Sequence, residues 1–153
     1  MNLKEIEATG NFLAYYYTDL IYIEKFQDYK NNSISKNEYI TNEKGTFYSF
    51  LIEFKVVRNF NKGEVNKLLE LTNNFVNGIS PIDVDLFAEI LLDSNLTRGN
   101  LMTSLASKIL FLNNPWQIIP MDTLARKSLN QKDNNVKHTL KIYNYFVKKN
   151  GNN

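Results

Sequence analysis

The chain contains no cysteine and a single histidine, His138. Without cysteine there are no disulfide frameworks, Cys-ligated zinc sites, iron–sulfur clusters or thiol catalysis. One histidine also excludes imidazole-rich metal sites and makes a Ser-His-Asp triad a poor reading. No apolar run approaches the roughly 18 residues that a membrane span needs. The opening Met1-Asn2-Leu3-Lys4-Glu5 is too polar for a signal peptide. These absences lead us to expect a soluble, cytosolic protein with no membrane partner, no cofactor and no metal. The phosphate-binding patterns G-x-x-x-x-G-K-[ST] and G-x-G-x-x-G are missing, as is the nucleophile elbow G-x-S-x-G.

Enough apolar material is present for a real core. Hydrophobic residues make up 43% and aromatic residues 13% of 153 positions, which rules out a wholly disordered chain. The length suits a single domain. The net charge of +2 hides a split. Residues 1–93 carry nine Lys and Arg against fourteen Asp and Glu, a net −5. Residues 94–153 carry nine against two, Asp122 and Asp133, a net +7. A basic half of that size is a plausible footprint for a polyanion, although ordinary solvated helix faces can segregate charge in the same way.

The periodicity is helical nearly throughout. Phe12, Leu13, Tyr16, Leu20, Ile23 and Phe26 recur every three to four residues, predicting a helix over roughly Leu3 to Tyr29. Asn31-Asn32-Ser33 ends it, since asparagine tolerates left-handed backbone angles; Asn113-Asn114 is read as a turn for the same reason. Ser35-Lys36-Asn37-Glu38 fits a capping box before a short helix. Phe47, Phe50, Leu51, Phe54 and Val57 predict a helix over about Thr46 to Arg58, with a strand as the minor alternative. Asn61-Lys62-Gly63-Glu64 starts a helix carrying Val65, Leu68, Leu69, Thr72, Phe75 and Val76, which Gly78 closes. Ser80-Pro81 supplies an N-cap and first-turn proline for a helix ending near Asp93. A tight polar turn from Asp93 to Asn100 leads into a helix over Leu101 to Leu112, stopped by Asn113-Asn114-Pro115. Pro120 and Asp122 open a short helix to about Leu129, and Val136, Leu140, Tyr143, Phe146 and Val147 mark the last. We therefore expect an all-α fold of about seven helices in a compact, two-lobed bundle, forming one domain with an acidic and a basic half.

Several side-chain groups carry competing readings. Asp85, Glu89 and Asp93 share a helix face at i, i+4 and i+8, which suits a solvated acidic face better than a cation site. Tyr15-Tyr16-Tyr17 span about 200° of a helix, so at least one ring must face the core. Trp116 lies in an apolar loop between Pro115 and Pro120 and is expected to plug the core. His138 stands alone, as a surface or capping residue.

One segment stands out. Leu96-Thr97-Arg98-Gly99-Asn100 leads into Ser104-Leu105-Ala106-Ser107-Lys108, then Asn114-Pro115, then Met121-Asp122-Thr123-Leu124-Ala125-Arg126-Lys127. Helix, tight turn, helix, proline-containing loop and an acid opening a further helix follow in that order. From about residue 86 to 129 the sequence resembles the helix-hairpin-helix DNA glycosylase superfamily. The resemblance implies a hairpin that grips DNA backbone, with Arg98, Gly99, Asn100, Arg126 and Lys127 as nucleic-acid contacts. It also implies Asp122 as the carboxylate that stabilises an oxocarbenium-like sugar, and Lys108 as an amine attacking C1′ of a flipped-out nucleotide. Only Gly99 remains of the family's Gly-x-Gly hairpin. The family's lysine position falls near Leu101 to Thr103, where this chain has no lysine; Lys108 lies further along, fourteen residues before Asp122. Asp122 also suits a helix N-cap with Arg126 as its i+4 partner. Two functional readings follow. The chain is a nucleic-acid-binding protein of glycosylase type, whether base-excising or inactive. Alternatively, it is a non-catalytic helical interaction module, such as a phage- or defence-related regulator, binding a protein partner through its basic C-terminal half.

Overall fold

A computed structural model of the chain describes residues 18–57, 60–78, 82–118 and 120. The described residues are helical and contain no strand. In chain order they comprise α1 (residues 18–30), α2 (Lys36–Tyr39), α3 (Phe47–Glu53), a 3₁₀ turn (Lys62–Glu64), α4 (Val65–Gly78), α5 (Val84–Asp93) and α6 (Thr103–Asn113). The chain divides into two compact units, Met1–Phe54 and Lys55–Asn153. The sequence's change from acidic to basic falls inside the second unit. The helices expected at Asp122–Leu129 and beyond Val136, with His138, lie outside the described residues, as does Tyr15-Tyr16-Tyr17.

The first unit is built on aromatic rings. Tyr22 and Phe26 of α1, Tyr39 of α2, and Phe47 and Phe50 of α3 are all buried. Tyr22 meets Phe50 edge-on at a centroid separation of 5.7 Å, and Tyr29 stacks on Tyr39 at 4.9 Å. Such pairs add about 0.5–1.5 kcal/mol each beyond the area they bury. The α1 end is a Schellman motif: Asn32 is left-handed (φ 58°), its amide donates to Tyr29 O and the Ser33 amide to Asp28 O. The expected capping box is formed at α2, with the Glu38 amide donating to Ser35 Oγ and the Ser35 amide to Glu38 Oε2. Hydrogen bonding from Ser35, side chain first and backbone second, holds the Glu38 carboxyl below its usual range. Gly45 (φ 91°) passes so close to α1 that a Cβ would sit 2.7 Å from Ile21 Cγ2, which makes glycine obligatory there.

α3 ends at Glu53, five residues short of the expected Arg58. Its apolar spacing continues through Val57, but Lys55 turns left-handed (φ 56°) and ends the helix. Val56, Val57 and Phe60, which belong to the second unit, are buried.

In the second unit, Asn61 caps the 3₁₀ turn by accepting from the Gly63 amide, and α4 follows directly. Leu68, Leu69, Thr72, Phe75 and Val76 form the buried face of α4. Phe75 packs on Phe87 of α5 at 4.8 Å. The expected start of α5 at Ser80-Pro81 is corrected by the structure. Asp83 is the N-cap, its carboxylate accepting from the Asp85 and Leu86 amides at 2.8 and 3.1 Å. Asp83 competes with Ser80 as a cap and stands directly before the apolar face that starts at Val84. Val84, Phe87, Ala88 and Leu91 then face the core. α6 is the most enclosed helix of this unit: Leu105, Ala106, Ser107, Ile109, Leu110 and Leu112 are buried. It packs chiefly on α5 and also on α4.

Candidate nucleic-acid interface

The residues between α5 and α6 form two successive turns, each with an identifiable cause. The first is a Schellman motif. Ser94 caps α5, Asn95 is left-handed (φ 61°), its amide donates to Leu92 O at 2.9 Å, and the Leu96 amide donates to Leu91 O at 3.3 Å. Lys67 of α4 donates Nζ to Ser94 O at 2.8 Å, placing a cation at the negative end of the α5 dipole. Leu96 and Thr97 are buried, so the stretch read as a polar turn is anchored in the core at its centre.

The second turn spans Thr97 to Asn100. The Asn100 amide donates to Thr97 O at 3.1 Å, and both central residues are left-handed, Arg98 at φ 51° and Gly99 at φ 75°. Positive φ at both central positions is the pattern of a type I′ turn. Asn100 Nδ2 also donates to Arg98 O at 3.2 Å. Arg98, Gly99 and Asn100 are all exposed. A Cβ at Gly99 would meet nothing within 4 Å, so the surface beside it is open. The turn is therefore tethered by buried Thr97 on one side and by enclosed α6 on the other. It exposes the Arg98 guanidinium, a group able to contact phosphate oxygens.

The structure thus brings together three of the sequence-derived contacts, Arg98, Gly99 and Asn100. Lys108 is half-buried on α6, five residues beyond its first residue Thr103. At 1.5 Å per residue that is about 8 Å along the axis from where the glycosylase lysine would stand. Asp122, Arg126 and Lys127 lie outside the described residues. Among the described residues no group of three His, Cys, Asp or Glu side chains stands close enough to hold a metal ion. No helix among them is long and apolar enough to cross a membrane.

Two features escaped sequence reasoning. The first is Trp116, expected to plug the core but 88% exposed. Asn114 and Ile118 take over its anchoring role. Asn114 O accepts from the Gln117 and Ile118 amides, Asn114 Nδ2 donates to Gln117 Oε1 at 2.8 Å, and Ile118 is buried. In an apolar loop, periodicity cannot say which of two large side chains turns inward. The second is a polar cluster in the first unit. The Tyr22 hydroxyl donates to the Glu53 carboxylate, which ties α1 to α3. Partial burial first, and then the charge of Glu53, raise the Asp19 carboxyl above its usual range. Burial first, followed by the bond to Glu53, raises the Tyr22 phenol. Tyr22 and Glu53 are 31 residues apart, and no local signal pairs them.

Compared with protein-family models, with curated proteins and with solved structures, the chain matches none of them.

Proposed function

We propose that this chain binds nucleic acid, contacting the phosphodiester backbone through the exposed turn between α5 and α6. The observation that carries the reading is Arg98, held outward in a left-handed conformation within a turn that is tethered at both ends. The electrostatics agree. From Ser94 to Pro120 there is no acidic residue, and the basic half continues with Arg126 and Lys127 in sequence. Phosphate contacts of this kind position a protein without reading base sequence.

The resemblance to helix-hairpin-helix glycosylases adds an enzymatic extension. In it Asp122 stabilises the oxocarbenium-like sugar of an excised nucleotide and Lys108 supplies the amine for a Schiff base. The offset of Lys108 along α6 weighs against the lysine step, and the binding reading does not depend on it.

Gel-shift titrations at low and physiological salt test the binding. The wild-type chain gives a salt-sensitive shift, and a variant with Arg98, Lys108, Arg126 and Lys127 all replaced by Ala gives none. A shift unchanged in that variant removes the assignment. Borohydride trapping on abasic DNA tests the extension: an adduct lost in Lys108→Ala supports it, and no adduct with the wild type removes the lysine chemistry.

A further inference from the structure

We propose that Trp116 is a stacking platform for an unpaired nucleobase, so that the preferred nucleic acid is single-stranded or locally opened rather than intact duplex. This rests on the nucleic-acid reading above and specifies its substrate class. Tryptophan is on average a highly buried residue, and an indole left 88% exposed forgoes the burial that usually stabilises it. The exposure is built into a defined turn. Pro115 fixes one backbone angle, Asn114 accepts two amides and bonds Gln117, and buried Ile118 anchors the exit. A ring presented on a backbone already ordered in this way loses little further backbone freedom when a partner arrives.

The chemistry around the ring selects the partner. Asn113, Asn114 and Gln117 beside it are polar and Ile118 is buried, so among these described neighbours the exposed ring is not extended by a second exposed apolar side chain. The cations Arg98 and Lys108 precede it in a stretch from Ser94 to Pro120 without a single acid. A flat π surface combined with a positive segment is complementary to an exposed base on a phosphate backbone. The 11-residue α6, about 16 Å long, lies between the Arg98 turn and the Trp116 turn in the chain.

Trp116 is the only tryptophan, so its emission reports the site directly. The experiment titrates the full chain with a 12-nucleotide oligo(dT) and with a blunt duplex of equal length, following indole emission and gel shift together. The expected result is quenching by oligo(dT) with stronger binding than to duplex. Trp116→Ala should weaken oligo(dT) binding about 5- to 150-fold, while Trp116→Phe retains most of it. Because the ring is exposed, neither substitution disturbs the core. If oligo(dT) binds with salt sensitivity but leaves the emission unchanged, and Trp116→Ala binds as well as wild type, the stacking proposal fails and the backbone reading survives. If neither nucleic acid binds, both fail. A change in oligomeric state on Trp116→Ala without any change in oligo(dT) binding assigns the ring to a contact between copies of this chain and overturns the proposal.

Discussion

Arg98 holds a backbone conformation that costs a non-glycine residue about 1–2 kcal/mol. Strain of this kind persists where surrounding structure imposes it, and it is concentrated at functional positions. Replacing Arg98 by Gly relieves the strain and removes the guanidinium. The substitution should leave urea stability unchanged or higher by up to about 1 kcal/mol, while the salt-sensitive gel shift weakens. Stability lost together with binding would mean that the side chain serves the fold instead. Tyr39 makes a second residue-scale case. Its hydroxyl is buried with no hydrogen-bond partner among the described residues, and burial raises its phenol well above the ordinary value. A phenol raised in the folded state contributes stability that is fully present below its unfolded pKa and is lost as pH climbs above it. Tyr39→Phe should therefore be neutral or stabilising by about 1 kcal/mol at neutral pH, and should unfold at higher pH than wild type. A loss of more than about 1 kcal/mol in urea melts at neutral pH would show that the hydroxyl has a partner. Some residue roles were legible beforehand. Asn32 adopts the left-handed angle expected of asparagine in a turn. Asn114 does not; at φ −141° it closes α6 from an extended conformation. The left-handed angle of Arg98 was not legible, because arginine has no preference for positive φ.

Helices were legible where three- to four-residue periodicity met a recognisable cap. The α2 capping box and the buried face of α4 follow directly from Ser35, Glu38 and the Leu68–Val76 stripe. Boundaries failed where two signals competed. Ser80-Pro81 and Asp83 both offer a start for α5, and the aspartate forms the cap. The run through Val57 outlasts α3 because Lys55 turns left-handed, a change of direction that apolar spacing does not signal. If Asp83 is the α5 cap, Asp83→Ala should cost about 1 kcal/mol in urea melts, and Asp83→Asn much less. Equal losses for both would place the role of Asp83 elsewhere. In the candidate site, the turn at residues 93–100 was legible from its Asn, Gly and Ser content. The burial of Leu96 and Thr97 within it was not, since burial depends on helices distant in sequence.

At the scale of the whole molecule, two compact units divide the labour of folding differently. One is held by a cluster of rings from α1 to α3, the other by the mainly aliphatic contacts of α4, α5 and α6 around Phe75 and Phe87. The enclosure of α6 makes the turn before it and the turn after it fixed outposts of the second unit. The excess positive charge over residues 94–153 then surrounds these turns in sequence. Composition alone disclosed that charge, whereas the outward placement of Arg98 and Trp116 required the fold. The most direct test of nucleic-acid binding is the salt dependence of single-strand affinity for the wild-type chain and for Arg98→Ala. Log affinity should fall linearly with log salt, with a slope of roughly −0.7 per phosphate neutralised, and Arg98→Ala should make that slope shallower by about 0.7. An affinity indifferent to salt, or a slope that Arg98→Ala leaves unchanged, would contradict the account.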